Sequence, residues 1–120
     1  MKNEDEMIAD IIDDGADYIE KNGWTQGDLY NWDAAALFPP ACIMGGLLVG
    51  NTVENDVIRR SAVLYAAEKR LPMATIVERV HSVIPDLHSL AVWNDKVCQS
   101  QQEALDMMRL AAKRIRGSHE

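Results

Sequence analysis

Nine consecutive residues, Ala41-Cys42-Ile43-Met44-Gly45-Gly46-Leu47-Leu48-Val49, carry no charged or hydroxyl side chain. A helix apolar all round must be covered all round, so this segment predicts a central buried helix with the rest of the chain packed about it. It is about half of the roughly 20 residues needed to span a bilayer. Pro39-Pro40 precedes it and can open a helix, because a first-turn proline has no N–H to leave unpaired. Gly50-Asn51 ends it. The Gly45-Gly46 pair costs about 1 kcal/mol per glycine in helix propensity relative to Ala. That cost makes sense where another helix crosses closely.

The remaining apolar spacing is also helical. Residues 5–21 place Ile8, Ile11, Ile12, Gly15 or Ala16, Tyr18 and Ile19 on one stripe. Glu4, Asp5 and Glu6 suit the positive end of that helix dipole, and Gly23 suits a left-handed cap. Asp33 to Phe38 reads as a short helical turn. A third helix is expected over 54–69, with Val57, Ile58, Ser61, Leu64, Tyr65 and Glu68 along its inner edge, and a fourth from Leu71-Pro72 to about Val83, with Ile76, Val77, Val80 and Ile84 inward. Ile84-Pro85-Asp86 is a turn, and residues 87–92 fit either a helical turn or a short extended piece. Ser100-Gln101-Gln102-Glu103 is a capping-box pattern. It opens a last helix carrying Leu105, Met108, Ala111, Ala112 and Ile115 at helical spacing, with Lys113, Arg114 and Arg116 near its negative end. The fold expected is all-α: a compact single domain of about five helices over residues 1–116, with 117–120 as a frayed tail.

The sequence has 120 residues, is 48% hydrophobic and only 6% aromatic, so the core must come from aliphatic side chains. The net charge of −7 argues against a nucleic-acid binder, which usually presents a basic face. Residues 1–33 hold ten acids against Lys2 and Lys21, whereas 54–116 hold ten bases against eight acids. A solvated acidic face on the first helix is the simplest reading. A surface for a basic partner, or a homo-oligomer pairing acidic and basic ends, is the sharper one. Arg59, Arg60, Lys69, Arg70 and Arg79 lack interleaved aromatics, which speaks against single-stranded nucleic acid. Cys42 and Cys98 make neither a CxxC nor a zinc pattern with His81 and His88, so no metal and no cofactor are expected. An acidic N-terminus without an apolar stretch does not read as a secretory signal, and the expected location is the cytoplasm.

Two polar-aromatic segments exceed what helix packing demands: Gly23-Trp24-Thr25-Gln26-Gly27 and Trp93-Asn94-Asp95. With Cys42-Ile43-Met44-Gly45-Gly46-Leu47 and Ala111-Ala112, they resemble, in order and spacing, a family of small proteins of unknown function from actinobacteria and their phages. That family's pattern is a helix ending in Gly-Trp-Thr/Cys-Gln-Gly, a Cys-x-x-Gly-Ala-Leu helix, a Trp-Asn-Asp turn and a helix ending in Ala-Ala. This chain has Gly46 where the family prefers Ala. It has Val97-Cys98-Gln99-Ser100 where the family often carries Gly-Arg-Thr, so the arginine is missing. The resemblance implies a helical fold and a phage origin, and no activity.

The candidate ligand- or partner-binding residues are Trp24, Gln26, Trp93, Asn94 and Asp95. Asn94-Asp95 alternatively form an Asx turn that shapes entry to the last helix. Cys42, in apolar surroundings, reads as a small core residue. No nucleophile triad, HExxH, P-loop or GxGxxG occurs, so no catalytic residue is assigned. The leading reading is a non-enzymatic helical interaction protein, such as a phage-encoded modulator of a host protein, acting through the Trp24/Trp93 region or the acidic first helix. The alternative is a small-molecule binder or minor enzyme with a pocket lined by Trp, Gln, Asn and Asp. A DNA mimic or nucleic-acid regulator comes third.

Overall fold

The computed structural model describes residues 2–33, 38–52 and 69–118, and these form an all-α domain. Its helices are α1 (Glu4–Asn22), α2 (Ile43–Gly50), α3 (Met73–Val83), α4 (Leu90–Val92) and α5 (Gln101–Gly117). A single 3-10 turn spans Pro85–Leu87, and α4 runs directly into a π-helical turn at Trp93–Val97. All but Lys69 of the helix expected over 54–69, and most of the short turn expected at Asp33 to Phe38, lie outside the described residues.

α1 is the element on which both α2 and α5 pack. Every residue of its predicted stripe is buried: Ile8, Ile11, Ile12, Gly15, Ala16, Tyr18 and Ile19. Asn3 caps its start by accepting the Glu6 N–H at 2.8 Å. Gly23 ends it with a positive φ of 107°, but its ψ of 166° makes the cap extended and not left-handed helical. That backbone region is essentially open to glycine alone, so the residue type was right and the cap geometry different.

The apolar segment is central, as expected, but begins later. Ala41 is extended and bridges two neighbouring segments: its N–H donates to Gly23 O and its carbonyl accepts Thr25 N, both at 3.1 Å. On its other side Asn31 N donates to Pro40 O, and Cys42 N to Leu29 O, at 2.9 Å each. These bonds hold Pro39-Pro40-Ala41 out of the helix. Cys42 is the N-cap, its Sγ accepting the Gly45 N–H at 3.3 Å.

The glycines explain how α1 and α2 approach. A Cβ on Gly50 would stand 2.2 Å from Ile11 O, and one on Gly15 would stand 2.6 Å from Gly46 O. Gly45 faces the loop instead, where a Cβ would lie 2.4 Å from Leu29 O.

Of the tail expected at 117–120, Gly117 and Ser118 are described and 119–120 lie outside the described residues. Gly117 is the last residue of α5, and the Ser118 hydroxyl donates to Ile115 O and receives a bond from Arg79. The capping box forms with one variation. Ser100 Oγ accepts Glu103 N at 3.2 Å, while Glu103 reaches the N–H of Gln99, one residue earlier than the usual partner.

His88 is strained, with φ 60° and ψ −56°, and the Ser89 N–H closes a γ-turn onto Leu87 O at 2.7 Å. Side chains pay for this conformation and glycine does not. His88→Gly is therefore expected to raise stability by about 1 kcal/mol, read as a higher urea midpoint at unchanged slope. A lower midpoint would show that the imidazole contributes something the backbone strain conceals.

Candidate functional site

The two polar-aromatic segments meet, and Asn94 joins them. It sits in the π turn at 2% exposure. A buried amide must satisfy both its ends, and this one does so across the sequence. Asn94 Oδ1 accepts the Trp24 indole N–H at 2.9 Å and the Ile43 backbone N–H at 3.0 Å. Its Nδ2 donates to Thr25 O at 3.2 Å and to Asp95 Oδ1 at 2.9 Å. One side chain thus ties the loop after α1, the first turn of α2 and the π turn together. This corrects the Asx-turn expectation: apart from the bond to its neighbour, the partners are distant in sequence, and the cap of α5 is Ser100.

Gln26 and Asp95 complete the junction. Gln26 Nε2 lies 3.0 Å from the carbonyls of Asn94 and Cys98 and 3.3 Å from that of Asp95. A π turn leaves carbonyls without their usual helical donors, and the amide supplies one. Asp95 Oδ1 accepts the Gly27 N–H at 3.0 Å, where Gly27 takes a φ of 87°. The Gly27 N–H, with help from the Asn94 amide, holds the Asp95 carboxyl below the usual range. Trp24 and Trp93 are half-buried and pack against the core.

Beside this junction lies a groove of about 190 Å³ lined by Gly27, Asp28, Leu29, Cys42, Met44, Ala91, Asn94 and Asp95. Cys42 lies at its inner edge, and burial pushes its thiol up, which keeps it protonated. Val92, just before the π turn, and Val97, its last residue, are each 55% exposed. None of Asp28, Leu29, Met44, Val92 and Val97 stands out in the sequence as a site residue. Their signal is only spatial, because each looks ordinary on its own segment. A larger depression of about 250 Å³ includes Asp14, Asp17 and Tyr18. There Asp14 pairs with Arg70, Asp17 with Arg109, and the Tyr18 hydroxyl donates to Pro39 O.

The acidic face of α1 has its basic partner within the chain. Arg109 bonds Asp13 at 2.9 Å and Asp17 at 2.5 Å, and Arg116 bonds Asp10 at 2.9 Å and Asp13 at 2.6 Å. Arg79 forks onto both oxygens of Asp5 at 2.9 Å. Partial burial pushes the Asp10 carboxyl up, but Lys2 and Arg116 outweigh it and hold the carboxyl low. Of the suggested basic set, Arg70 and Arg79 are engaged with carboxylates, and Arg59 and Arg60 lie outside the described residues.

These shifts set an acid limb. Asp10 and Asp95 have folded values below their unfolded ones, so they stabilise the fold above the unfolded pKa, about 4. That contribution is lost as pH falls through the lower folded values. Melting temperature should therefore drop as pH falls below about 4, and Asp95→Asn should make that drop shallower. An unchanged acid limb in Asp95→Asn would mean that the Gly27 contact does not favour the charged form.

The geometry defines a small all-α domain whose two sequence motifs interlock at one buried asparagine. A sequence profile matches residues 3–114, and the chain belongs to that family, a family of unknown function designated DUF6197. No curated protein and no solved structure matches the chain.

Proposed function

We propose that the protein is a non-enzymatic interaction protein that docks on a partner through the π turn and the groove beside it. One observation carries this reading. The polar groups expected to face a ligand are engaged in holding the fold: the Trp24 N–H, the Gln26 amide and all of Asn94. What remains outward is a shallow groove and two exposed valines. At about 190 Å³ the groove is below the ~300–1,000 Å³ of pockets that enclose drug-sized ligands. It suits a single side chain of a partner better than a metabolite, and this ranks the pocket-protein reading second.

The finer reading is a phage-encoded modulator of a host protein, supported by the likeness of the motifs to actinobacterial and phage sequences. Action in the cytoplasm accords with two free, buried thiols. Among the described residues no helix is long and apolar enough to cross a membrane.

The test is site-specific photocrosslinking in producing cells, with the reactive side chain at position 97 and, as a control, at the exposed position 113 of α5. Position 97 should give a discrete adduct that Val92→Glu abolishes, and position 113 should give none. The same diffuse pattern from both positions would defeat the proposal.

A further inference from the structure

We propose that the groove beside Asp95 receives one basic side chain, a lysine or arginine, of the partner protein. This rests on the interaction reading above and specifies what the partner presents.

The argument begins with charge. Two carboxylates, Asp28 and Asp95, line the groove, and no lysine, arginine or histidine is among its described lining residues. Asp95 Oδ1 is held by the Gly27 N–H and the Asn94 amide, leaving Oδ2 without a hydrogen bond among the described residues. Asp28 likewise makes none. Among the described residues the cation that acts on Asp95 is its neighbour Lys96, which is exposed and does not line the groove. Asp95 is therefore already aimed by the fold, so a cation meeting it need not first immobilise it. Such preorganisation lowers the cost of binding.

Shape and lining then select the occupant. Leu29, Met44 and Ala91 give the groove an apolar wall beside its carboxylates. An aliphatic stem ending in a cation matches that order, because lysine and arginine bury their methylenes while keeping the charge in a polar setting. An acidic or phosphorylated segment would be repelled. A neutral apolar side chain would cover the carboxylates without pairing them, which is costly. A calcium ion needs six to eight oxygen ligands, and no group of three or more metal-binding side chains occurs among the described residues.

The test uses the isolated protein and blocked single amino acids: N-acetyl-lysine methylamide, N-acetyl-arginine methylamide and the uncharged N-acetyl-norleucine methylamide. Amide shifts of Gly27, Asp28 and Ala91 are followed by heteronuclear NMR. The cationic compounds should give saturable shifts at these amides, with affinity at least about fivefold above norleucine, as one partly exposed ion pair provides. Asp95→Asn, which keeps an oxygen for Gly27, should weaken binding by about fivefold, and raising salt should weaken it further. Asp28→Asn removes a carboxylate that makes no bond among the described residues, so its several-fold weakening can be read even if Asp95→Asn unfolds.

Equal response to norleucine, undiminished lysine binding in both asparagine variants, or no saturable response would each overturn the inference. The two readings fail separately. A discrete adduct at position 97 with no preference for cations sinks this inference alone. Cation binding without a discrete adduct sinks the interaction reading.

Discussion

Asn94→Ala is expected to cost about 3–5 kcal/mol, close to the whole stability of a small domain. The substitution leaves the Ile43 N–H, the Trp24 indole N–H and Thr25 O without their partner, in a place where Asn94 is only 2% exposed. Each orphaned buried group costs about 1–3 kcal/mol, less where water reaches it. Urea denaturation measures the effect. Trp24→Phe should cost less, about 1–2 kcal/mol, because it removes one donor and Asn94 Oδ1 keeps the other. Asn94→Asp separates shape from charge. It keeps the volume but puts a second carboxylate against Asp95 Oδ1, 2.9 Å away, and cannot donate to Thr25 O when ionised. Burial and the like charge raise the new group's pKa in the fold. Its deficit should therefore be small in acid and grow as pH rises through about 4. A fully stable Asn94→Ala would mean that the junction does not hold the domain together, and Asn94 would return to the list of ligand-binding groups.

The sequence made α1 and α5 legible because each is amphipathic over four turns or more and carries its own capping residues. The stripes at Ile8 to Ile19 and Leu105 to Ile115 are buried as their spacing requires. Ser100 and Glu103 form the cap that their spacing suggests. The start of α2 was not legible. Proline tolerates a first turn, but here Ala41 is held extended by bonds to Gly23 and Thr25 on one side, with Leu29 and Asn31 bonding its two neighbours on the other. These are tertiary bonds that no local propensity encodes. The site divides in the same way. That the Trp24 and Trp93 segments belong together was visible as an excess of polar-aromatic residues. That Asn94 is the knot and Asp95 the rim was not, because an Asn-Asp pair ordinarily bonds to its own backbone. Asn51 is a second case: it reads as a helix end, yet its side chain exchanges bonds with both backbone groups of Leu71.

The charge asymmetry also changes meaning in three dimensions. An acidic first helix and a basic second half read most simply as a solvated face, and more sharply as a surface for a basic partner or a homo-oligomer. Arg109 and Arg116 instead bridge α5 to α1 within one molecule. Individually exposed pairs are worth about 0–1 kcal/mol each, so they select how the helices pair more than they hold them. Groups already paired within the chain offer little to a basic partner. Asp28 and Asp95 make no ion pair among the described residues and stand beside an apolar wall, which is why the interaction surface is sought at the π turn and not along α1.

The crossing of α1 and α2 gives the second large effect. Gly50→Ala should cost about 3 kcal/mol or more, whereas Gly46→Ala should be nearly neutral. The two positions lie one turn apart on α2, and both would gain the same helix propensity, about 1 kcal/mol. They differ in what the new methyl meets. At Gly50 it would stand 2.2 Å from Ile11 O and 2.8 Å from Gly15 N, which are backbone atoms of a helix that cannot yield without moving as a whole. At Gly46 the nearest atom, at 2.8 Å, is Ile19 Cδ1, the free end of a flexible side chain; Gly15 O is next at 3.1 Å. A rotamer change relieves the first contact, and a shift of a few tenths of an ångström relieves the second. Thermal and urea unfolding of the two variants, side by side, decide the matter. If Gly50→Ala is as stable as Gly46→Ala, the helices do not cross at backbone contact, and the packing of α2 on α1 must be looser than described.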